Sequence, residues 1–134
     1  MEYYEHKVQY YETDKMQVTH HSNYIRFMEE ARIHFLEKIG WGYNKMEKQG
    51  IISPVVSITC EYKKTTTFMD IIHISINVLE ISPAKLKLSY IMTVDDNIVC
   101  TASSTHCFIK DGKPINIKRQ YPEFYNLMKD LSQK

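Results

Sequence analysis

One segment of the sequence gathers the residues best suited to chemistry, YETDKMQVTHHSNY between Tyr11 and Tyr24. It places the carboxylate of Asp14 and two histidines just before the pattern of a long helix. The first N–H groups of a helix have no partner within it, and together they carry a partial positive charge. Such groups stabilise a developing oxyanion, while a nearby carboxylate attacks a thioester directly or takes a proton from attacking water. The segment therefore holds the two parts that hydrolysis of an acyl thioester requires.

The same residues also have other interpretations. His20 and His21 with Asp14 suggest a metal site, but adjacent side chains diverge and no third ligand stands at a familiar spacing, so we predict no metal. The Ser103-Ser104 pair lacks a GxSxG motif, which argues against a serine hydrolase. Asp14 as a simple turn residue is the alternative to catalysis. The His21 imidazole either orients Asp14 or water, or is a solvated loop side chain.

A long helix must position this segment. Apolar side chains recur at helical spacing, namely Tyr24, Met28, Ala31, Phe35 and Ile39. Ser22 or Asn23 is suited to cap the start, and Gly40 and Gly42 to end the helix after roughly five turns. One short helical turn is predicted over residues 43–49, and a C-terminal helix over 121–131, where Pro122 suits the first turn.

The rest of the chain has the period of two that indicates strands. A first strand is predicted over residues 3–11, before the helix, and four more over residues 56–62, 72–78, 85–94 and 98–109. Ser82-Pro83-Ala84 and Asp95-Asp96-Asn97 separate the last three as hairpin turns. We therefore predict the α+β class, with an antiparallel meander of about five strands whose apolar face lies around the helix. The 134 residues suit a single domain, 1–134.

Composition excludes several classes of function. The 17 Lys and Arg nearly balance the 16 Asp and Glu, which argues against binding of nucleic acid or of an anionic membrane. No apolar stretch approaches the ~20 residues of a membrane span, and the N-terminus lacks the pattern of a secretory signal. The three cysteines, Cys60, Cys100 and Cys107, form no CxxC motif, and we interpret them as buried thiols. A reducing cytoplasm is the expected location. Because a five-stranded sheet has exposed edges, we expect a homodimer or a dimer of dimers.

Three motifs resemble the 4-hydroxybenzoyl-CoA thioesterase family and its Tol-Pal-associated relatives. The first motif resembles the family signature Y-x-D/E-T-D-x-x-G-V-V-Y-H-A-N-Y, with matches at Glu12, Thr13, Asp14, Val18, His21, Asn23 and Tyr24. It continues as IRFMEEAR, which is similar to the family's LRFFERAR. The stretch EYKKTTTFMDIIHI is similar to Y-x-R-P-A-x-Y-G-D-x-L, and KDGKPINI followed by Pro122 resembles the closing strand and proline.

The resemblance implies a hot-dog fold, dimers paired into tetramers, and hydrolysis of acyl-CoA to acid and CoA. The family's catalytic aspartate falls on Asp14, and its carbonyl-polarising N–H falls on the backbone of His21, with Ser22 adjacent. Asn23 and Tyr24 match positions that shape the helix entry. The implied chemistry uses no metal or redox cofactor, and coenzyme A enters as part of the substrate. In such dimers the acyl pocket lies at the subunit interface.

The sequence also departs from the family pattern. Gln17 stands where the family has glycine, His20 where it usually has an aromatic residue, and Thr65 where proline is expected. Glycine permits a positive φ and close approach of a ligand to the backbone, so Gln17 bears on the loop shape and on the room for the acyl group. Lys63 and Lys64 are candidates for contacts with the CoA phosphates, with a solvated strand end as the alternative.

Two functions compete with acyl-CoA or acyl-carrier-protein thioester hydrolysis. One is a hot-dog dehydratase of hydroxyacyl thioesters, which usually needs a histidine with an acid on the helix. His34 is a poor candidate for that base because it lies well inside the helix. The other is a non-catalytic acyl-CoA-binding protein that keeps the fold.

Overall fold

A computed structural model describes residues 3–134 of the chain. The strands are β1 (Tyr4–Lys7), β2 (Ile51–Ile52), β3 (Val55–Tyr62), β4 (Ile71–Ile81), β5 (Lys85–Val94), β6 (Asn97–Cys107), β7 (Ile109–Lys110) and β8 (Lys113–Pro114). The helices are α1 (Asn23–Lys38), α2 (Tyr43–Lys48), α3 (Ile117–Gln120) and α4 (Pro122–Ser132). The predicted long helix, the short helical turn and the C-terminal helix are therefore confirmed, each within two residues at its ends.

The main sheet has five strands in the order β1-β4-β5-β6-β3. Only β4, β5 and β6 form the predicted meander, because tight turns join them and leave no other neighbour within reach. The prediction of one continuous meander is wrong at β3. A longer connection follows β3, and β3 pairs with β6 rather than with β4. Just after β3 ends, the N–H groups of Lys63 and Lys64 donate to the Val99 carbonyl (2.8 and 3.1 Å). The strands β2, β7 and β8 form a separate three-stranded sheet.

The turns between β4, β5 and β6 are the ones that the sequence indicated. Ser82 N–H donates to the Lys85 carbonyl (2.8 Å), and Lys85 N–H donates to the Ser82 hydroxyl (3.1 Å). Asp95 and Asp96 both have positive φ, 50° and 66°, which is the requirement of the type I′ turns that match strand twist. Both hairpins are confirmed.

The first strand is shorter than the predicted 3–11, because β1 ends at Lys7 and a 3-10 turn occupies Tyr10–Glu12. The reason lies in Glu12, whose side chain accepts a hydrogen bond from the N–H of Gln9 (2.8 Å) and so closes the turn. The two aromatic side chains that suggested a strand here, Tyr10 and Tyr11, are exposed. Aromatic content alone does not extend a strand against such a local bond.

The helix α1 begins at Asn23, but neither predicted cap forms. Within residues 3–134, the side chains of Ser22 and Asn23 accept no hydrogen bond from an N–H group of the helix. The Ser22 hydroxyl pairs with the His20 ring, and the Asn23 amide donates to the Glu12 carbonyl (2.9 Å). The capping prediction is therefore wrong. At the other end Gly40 has φ +86°, as a helix stop requires.

The chain divides into two compact units, which are described separately. The first contains residues up to Phe35 together with Cys60–Ile76 and Tyr90–Ala102. Its buried apolar side chains are Val8, Tyr24, Phe27, Met28, Ala31, Ile72, Ile74, Tyr90, Met92, Val99, Cys100 and Ala102. Tyr24, Met28 and Ala31 of the predicted stripe thus belong to this core, and the Cys60 thiol lies 3.6 Å from the Met28 sulfur.

The second unit contains Leu36–Thr59, Asn77–Ser89 and Ser103–Lys134. Its core includes an aromatic cluster in which Trp41 and Phe108 each pack edge-on against Phe124 of α4, with ring centroids 5.2 and 5.7 Å apart. The prediction of a single domain over residues 1–134 stays a prediction. No helix within residues 3–134 has the length and apolar character needed to cross a membrane, and the cytoplasmic location also stays a prediction.

Candidate active site

Asp14 lies in a small closed loop between the 3-10 turn and α1. The N–H of Asp14 donates to the Val18 carbonyl, and the N–H of Gln17 donates to the Asp14 carbonyl (both 2.9 Å). A β-bridge pairs Thr13 with Thr19 at the base of the loop. The backbone around Asp14 is therefore held by its own hydrogen bonds, which fixes the position of the carboxylate.

The Asp14 carboxylate has one structural oxygen and one open oxygen. Oδ1 accepts the N–H of Met16 (2.8 Å), which is the Asx turn of the alternative reading. The other oxygen makes no hydrogen bond within residues 3–134, and the half-buried side chain faces a cleft. The Asx turn thus occupies one carboxylate oxygen and leaves the other without a partner in the described part of the chain.

Gln17 stands where the family signature has glycine, and it adopts a backbone conformation that glycine tolerates best. Its φ is +67°, in the left-handed region that side chains disfavour. The Gln17 carbonyl accepts a hydrogen bond from the Thr67 hydroxyl (2.7 Å), which holds this conformation from outside the loop. Gln17 therefore has a positive φ in the loop even though it is not a glycine.

The start of α1 offers an open N–H group beside this loop. The N–H groups of Asn23 and Tyr24 donate back to the carbonyls of His20 and His21 (3.0 and 3.1 Å), and the Ser22 N–H donates to the His20 ring (3.2 Å). In the described part of the chain, the N–H of His21 has no hydrogen-bond acceptor. The His21 N–H is thus an unpaired donor next to the start of the helix.

The connection between β3 and β4 fastens the far side of the loop. Thr19 N–H donates to the Thr66 carbonyl (2.8 Å), and the two threonine hydroxyls are 2.6 Å apart. The Tyr24 hydroxyl lies 2.9 Å from the Thr66 hydroxyl, and burial raises the pKa of Tyr24. In the sequence, Thr66 belongs to the stretch EYKKTTTFMDIIHI that resembles the family's second motif. Nothing else around it predicts a buried pair of hydroxyls.

These segments enclose one cleft of about 540 Å³, called here the Asp14 cleft. It is lined by Asp14, Met16, Val18, Thr19, His21, Tyr24, Tyr62, Lys63, Lys64 and Thr65. Of the predicted site residues, the structure brings together Asp14, His21, Tyr24, Lys63 and Lys64. Ser22 and Asn23 do not line the cleft, and they support the helix start through the bonds given above.

Tyr62 forms an aromatic wall of the Asp14 cleft that sequence analysis did not single out as a site residue. Its ring packs edge-on against Tyr24 (5.1 Å between centroids) and against His21 (6.1 Å). Its hydroxyl donates to the His21 carbonyl at 3.3 Å. Burial and the neighbouring Cys60 thiol raise the pKa of Tyr62 to about 12, so the hydroxyl keeps its proton as a donor. In the sequence, Tyr62 is marked only as the end of a predicted strand and as part of the stretch EYKKTTTFMDIIHI.

The two lysines differ in their surroundings. Lys63 forms an exposed ion pair with Glu61 (2.7 Å), and this lysine lowers the pKa of the Glu61 carboxyl. Within residues 3–134, the Lys64 ammonium makes no ion pair or hydrogen bond. Lys64 is therefore the cation at the rim that is available to an anionic ligand.

The histidines take several places. The rings of His20 and His21 stack, with centroids 4.3 Å apart, and within residues 3–134 the His21 ring makes no hydrogen bond to Asp14. No group of three His, Cys, Asp or Glu side chains in the described chain is arranged to hold a metal ion. His34 packs against Tyr4 (5.5 Å between centroids) and does not line the Asp14 cleft. His106 lies buried in its strand beside the Ser104 hydroxyl (2.7 Å).

Comparison with known proteins adds to this geometry. Residues 8–125 match the family model described as the thioesterase-like superfamily. An Aquifex aeolicus protein named "Putative esterase" is 38% identical over 120 residues, which cover 90% of this chain and 94% of that protein. A Bacillus subtilis protein named "Putative acyl-CoA thioesterase YneP" is 32% identical over 122 residues, covering 89% and 88%.

A solved structure is similar over nearly the whole chain. The crystal structure of the DHNA-CoA thioesterase from Staphylococcus aureus has 31% sequence identity and a TM-score of 0.91. The likeness covers 98% of this chain and 90% of the other. The predicted hot-dog fold is confirmed by this likeness.

Proposed function

This chain belongs to the thioesterase-like superfamily and hydrolyses the thioester bond of acyl-CoA, and we propose that the reaction takes place in the Asp14 cleft. One observation carries the proposal. Asp14, which has an open carboxylate oxygen, and His21, which has an unpaired N–H, line the same cleft. Catalysis of acyl transfer requires such a pair, one group to deliver the nucleophile and one to stabilise the oxyanion.

In the proposed reaction the thioester carbonyl oxygen points at the His21 N–H. Asp14 either takes a proton from the attacking water or attacks the carbonyl carbon itself, after which water hydrolyses the resulting anhydride. As the tetrahedral intermediate collapses, the carbon–sulfur bond breaks and CoA leaves as a thiolate that takes up a proton. The backbone bonds of the Asp14 loop keep the carboxylate in place, which lowers the entropic cost of the attack.

Coenzyme A is proposed to lie across the rim that carries Lys64 and Lys63. Their ammonium groups attract phosphate oxygens, and Lys64 needs no existing ion pair to be broken. An acyl-pantetheine substrate, which lacks the nucleotide phosphates, should have a higher KM than the matching acyl-CoA and a similar kcat. Equal KM values for the two substrates would contradict phosphate binding by the lysines, but not the proposed reaction in the Asp14 cleft.

The acting form is proposed to be a homodimer, or a dimer of dimers, joined through β3. This strand lies at the edge of the main sheet, and six of its eight residues are exposed. An exposed edge of this length with apolar Val55 and Val56 is a site for pairing with another chain. Because Tyr62 ends β3 and lines the Asp14 cleft, a partner on this edge lies next to the site.

The direct test is thiol release from a panel of aromatic and aliphatic acyl-CoAs. We expect saturable release of free CoA with at least one class, with no enoyl chromophore when hydroxyacyl-CoA is supplied. Tight binding of acyl-CoA without thiol release would favour the binding protein, and an enoyl product would favour the dehydratase. Either of these results would contradict the proposed function.

A further inference from the structure

His6 of β1 stands between two carboxylates next to the Asp14 loop. Its Nε2 lies 2.8 Å from Glu12 Oε1, and its Nδ1 lies 3.1 Å from Glu30 Oε1 of α1. The ring packs on Phe27 with centroids 4.1 Å apart. The side chains of His6 and Glu12 are only 12% and 6% exposed, so water does little to screen their contact.

Further hydrogen bonds hold the two carboxylates in place. Tyr4 donates to Glu30 Oε1 (2.7 Å), and the N–H of Gln9 donates to Glu12 Oε1 (2.8 Å). The His6 ring therefore spans two carboxylate oxygens, each of which is also held by a second donor. It ties Glu12 of the 3-10 turn to Glu30 of α1.

Glu12 connects this group to the site. Its backbone carbonyl accepts the N–H of His20 (2.8 Å) and the side-chain amide of Asn23 (2.9 Å). The residues between Glu12 and His20 are those of the Asp14 loop, and Asn23 is the first residue of α1. A shift of Glu12 would therefore move the carboxylate of Asp14 relative to the His21 N–H.

We infer that His6 is a positioning residue for thioester hydrolysis, which holds Glu12 through its short hydrogen bond and thereby fixes the distance between Asp14 and the helix start. The inference rests on the proposed role of the Asp14 cleft. His6 does not line the cleft, so it acts through Glu12 and contacts no reacting atom. Loss of His6 should lower the rate of the chemical step more than the binding of acyl-CoA.

The kinetic test compares His6→Leu and His6→Gln with the wild-type protein. We expect His6→Leu to lower kcat by about tenfold or more, with KM for acyl-CoA within about twofold, and His6→Gln to recover part of kcat because its amide donates to Glu12. His73→Leu is the matched control, since His73 of β4 also pairs with a glutamate, Glu5 (3.1 Å), but on the surface. An unchanged kcat in both His6 variants overturns the inference.

A spectroscopic measurement keeps the inference open to refutation if His6→Leu fails to fold. In ¹H–¹⁵N spectra, unchanged amide resonances of the Asp14 loop in His6→Gln contradict the inference. The amide resonances of Asp14 and of its loop should move in His6→Gln and stay in place in His73→Leu. This readout does not depend on turnover. A failure of the proposed Asp14 chemistry would be recognised separately, as an Asp14→Asn variant whose kcat equals that of the wild-type protein.

Discussion

Gln17 adopts a left-handed backbone at the point where the Asp14 loop turns. This conformation costs a residue with a side chain roughly 1–2 kcal/mol, and glycine returns part of that gain through the greater entropy of its unfolded chain. Gln17→Gly should therefore raise the free energy of unfolding by about 0.5–1 kcal/mol, measured by denaturant titration. Lys15→Gly in the same loop, where φ is not positive, should lower it. A less stable Gln17→Gly protein would contradict the loop conformation.

Cys60 is a second residue whose surroundings make a testable difference. A hydrogen bond from the Cys100 thiol lowers the pKa of Cys60 to about 7 from the usual 9.0, against the effect of burial. The same contact and burial raise the pKa of Cys100. The thiolate is the nucleophile, so its alkylation rate follows the deprotonated fraction.

In a Cys107→Ser background, alkylation of Cys60 should be slow below pH 7 and should reach half its plateau at about pH 7. Cys100→Ala removes the main donor to the thiolate and should move this midpoint upward. Rates are measured by mass spectrometry of the labelled peptide. A midpoint near the ordinary thiol value in both proteins would show that the two thiols do not interact.

The sequence allowed the central residues of the site to be predicted but not their supports. Asp14 and the helix start are visible because an acid precedes a clear helical period. The positive φ of Gln17 could not be predicted from its side chain. The conformation is held by a backbone bond from the Gln17 N–H to the Asp14 carbonyl and by a bond from the distant Thr67 hydroxyl to the Gln17 carbonyl. Glu12 was noticed only as a motif match, although its spacing of three from Gln9 is the usual signal of a capping side chain.

At the scale of elements, the connection between β3 and β4 acts as a support for the loop and for α1. Thr66→Val would remove the hydrogen-bond partner of the buried Tyr24 hydroxyl and the hydroxyl–hydroxyl bond to Thr19. The free energy of unfolding should fall by about 1–3 kcal/mol, the cost of leaving a buried hydroxyl unpaired. Thr66→Ser keeps the hydroxyl and should lose much less. Equal stability of the two variants in denaturant unfolding would show that the hydroxyl bonds contribute nothing.

The strands were predictable individually, and their order only in part. Tight turns dictate that β4, β5 and β6 are neighbours, so local residues such as Asp95 and Asp96 suffice to predict that pairing. The partner of β3 depends on contacts distant in sequence, such as Lys63 with Val99, and no local pattern encodes them. The same limit applies to β1, which pairs with β4 in the register Tyr4 opposite Ile74.

At the scale of the whole molecule, the exposed edge of β3 predicts self-association. Light scattering after size exclusion should give about twice, or four times, the chain mass of 15.9 kDa. Val56→Lys places a charge on that edge and should shift the mass towards the monomer. Ile91→Lys, at an exposed apolar position of the inner strand β5, is the matched control and should leave the mass unchanged. A wild-type monomer at all concentrations would contradict the proposed assembly.

The central claim, that the open oxygen of Asp14 drives thioester hydrolysis, is tested by the turnover of Asp14→Asn. The asparagine side-chain oxygen can still accept the Met16 N–H, so the loop should keep its shape and its melting temperature. An amide neither attacks nor takes up the proton, so kcat for the best acyl-CoA should fall by about 10²–10⁴-fold. Asp111→Asn, in a turn outside the Asp14 cleft, should retain the wild-type rate. Near-normal turnover by Asp14→Asn would contradict the account.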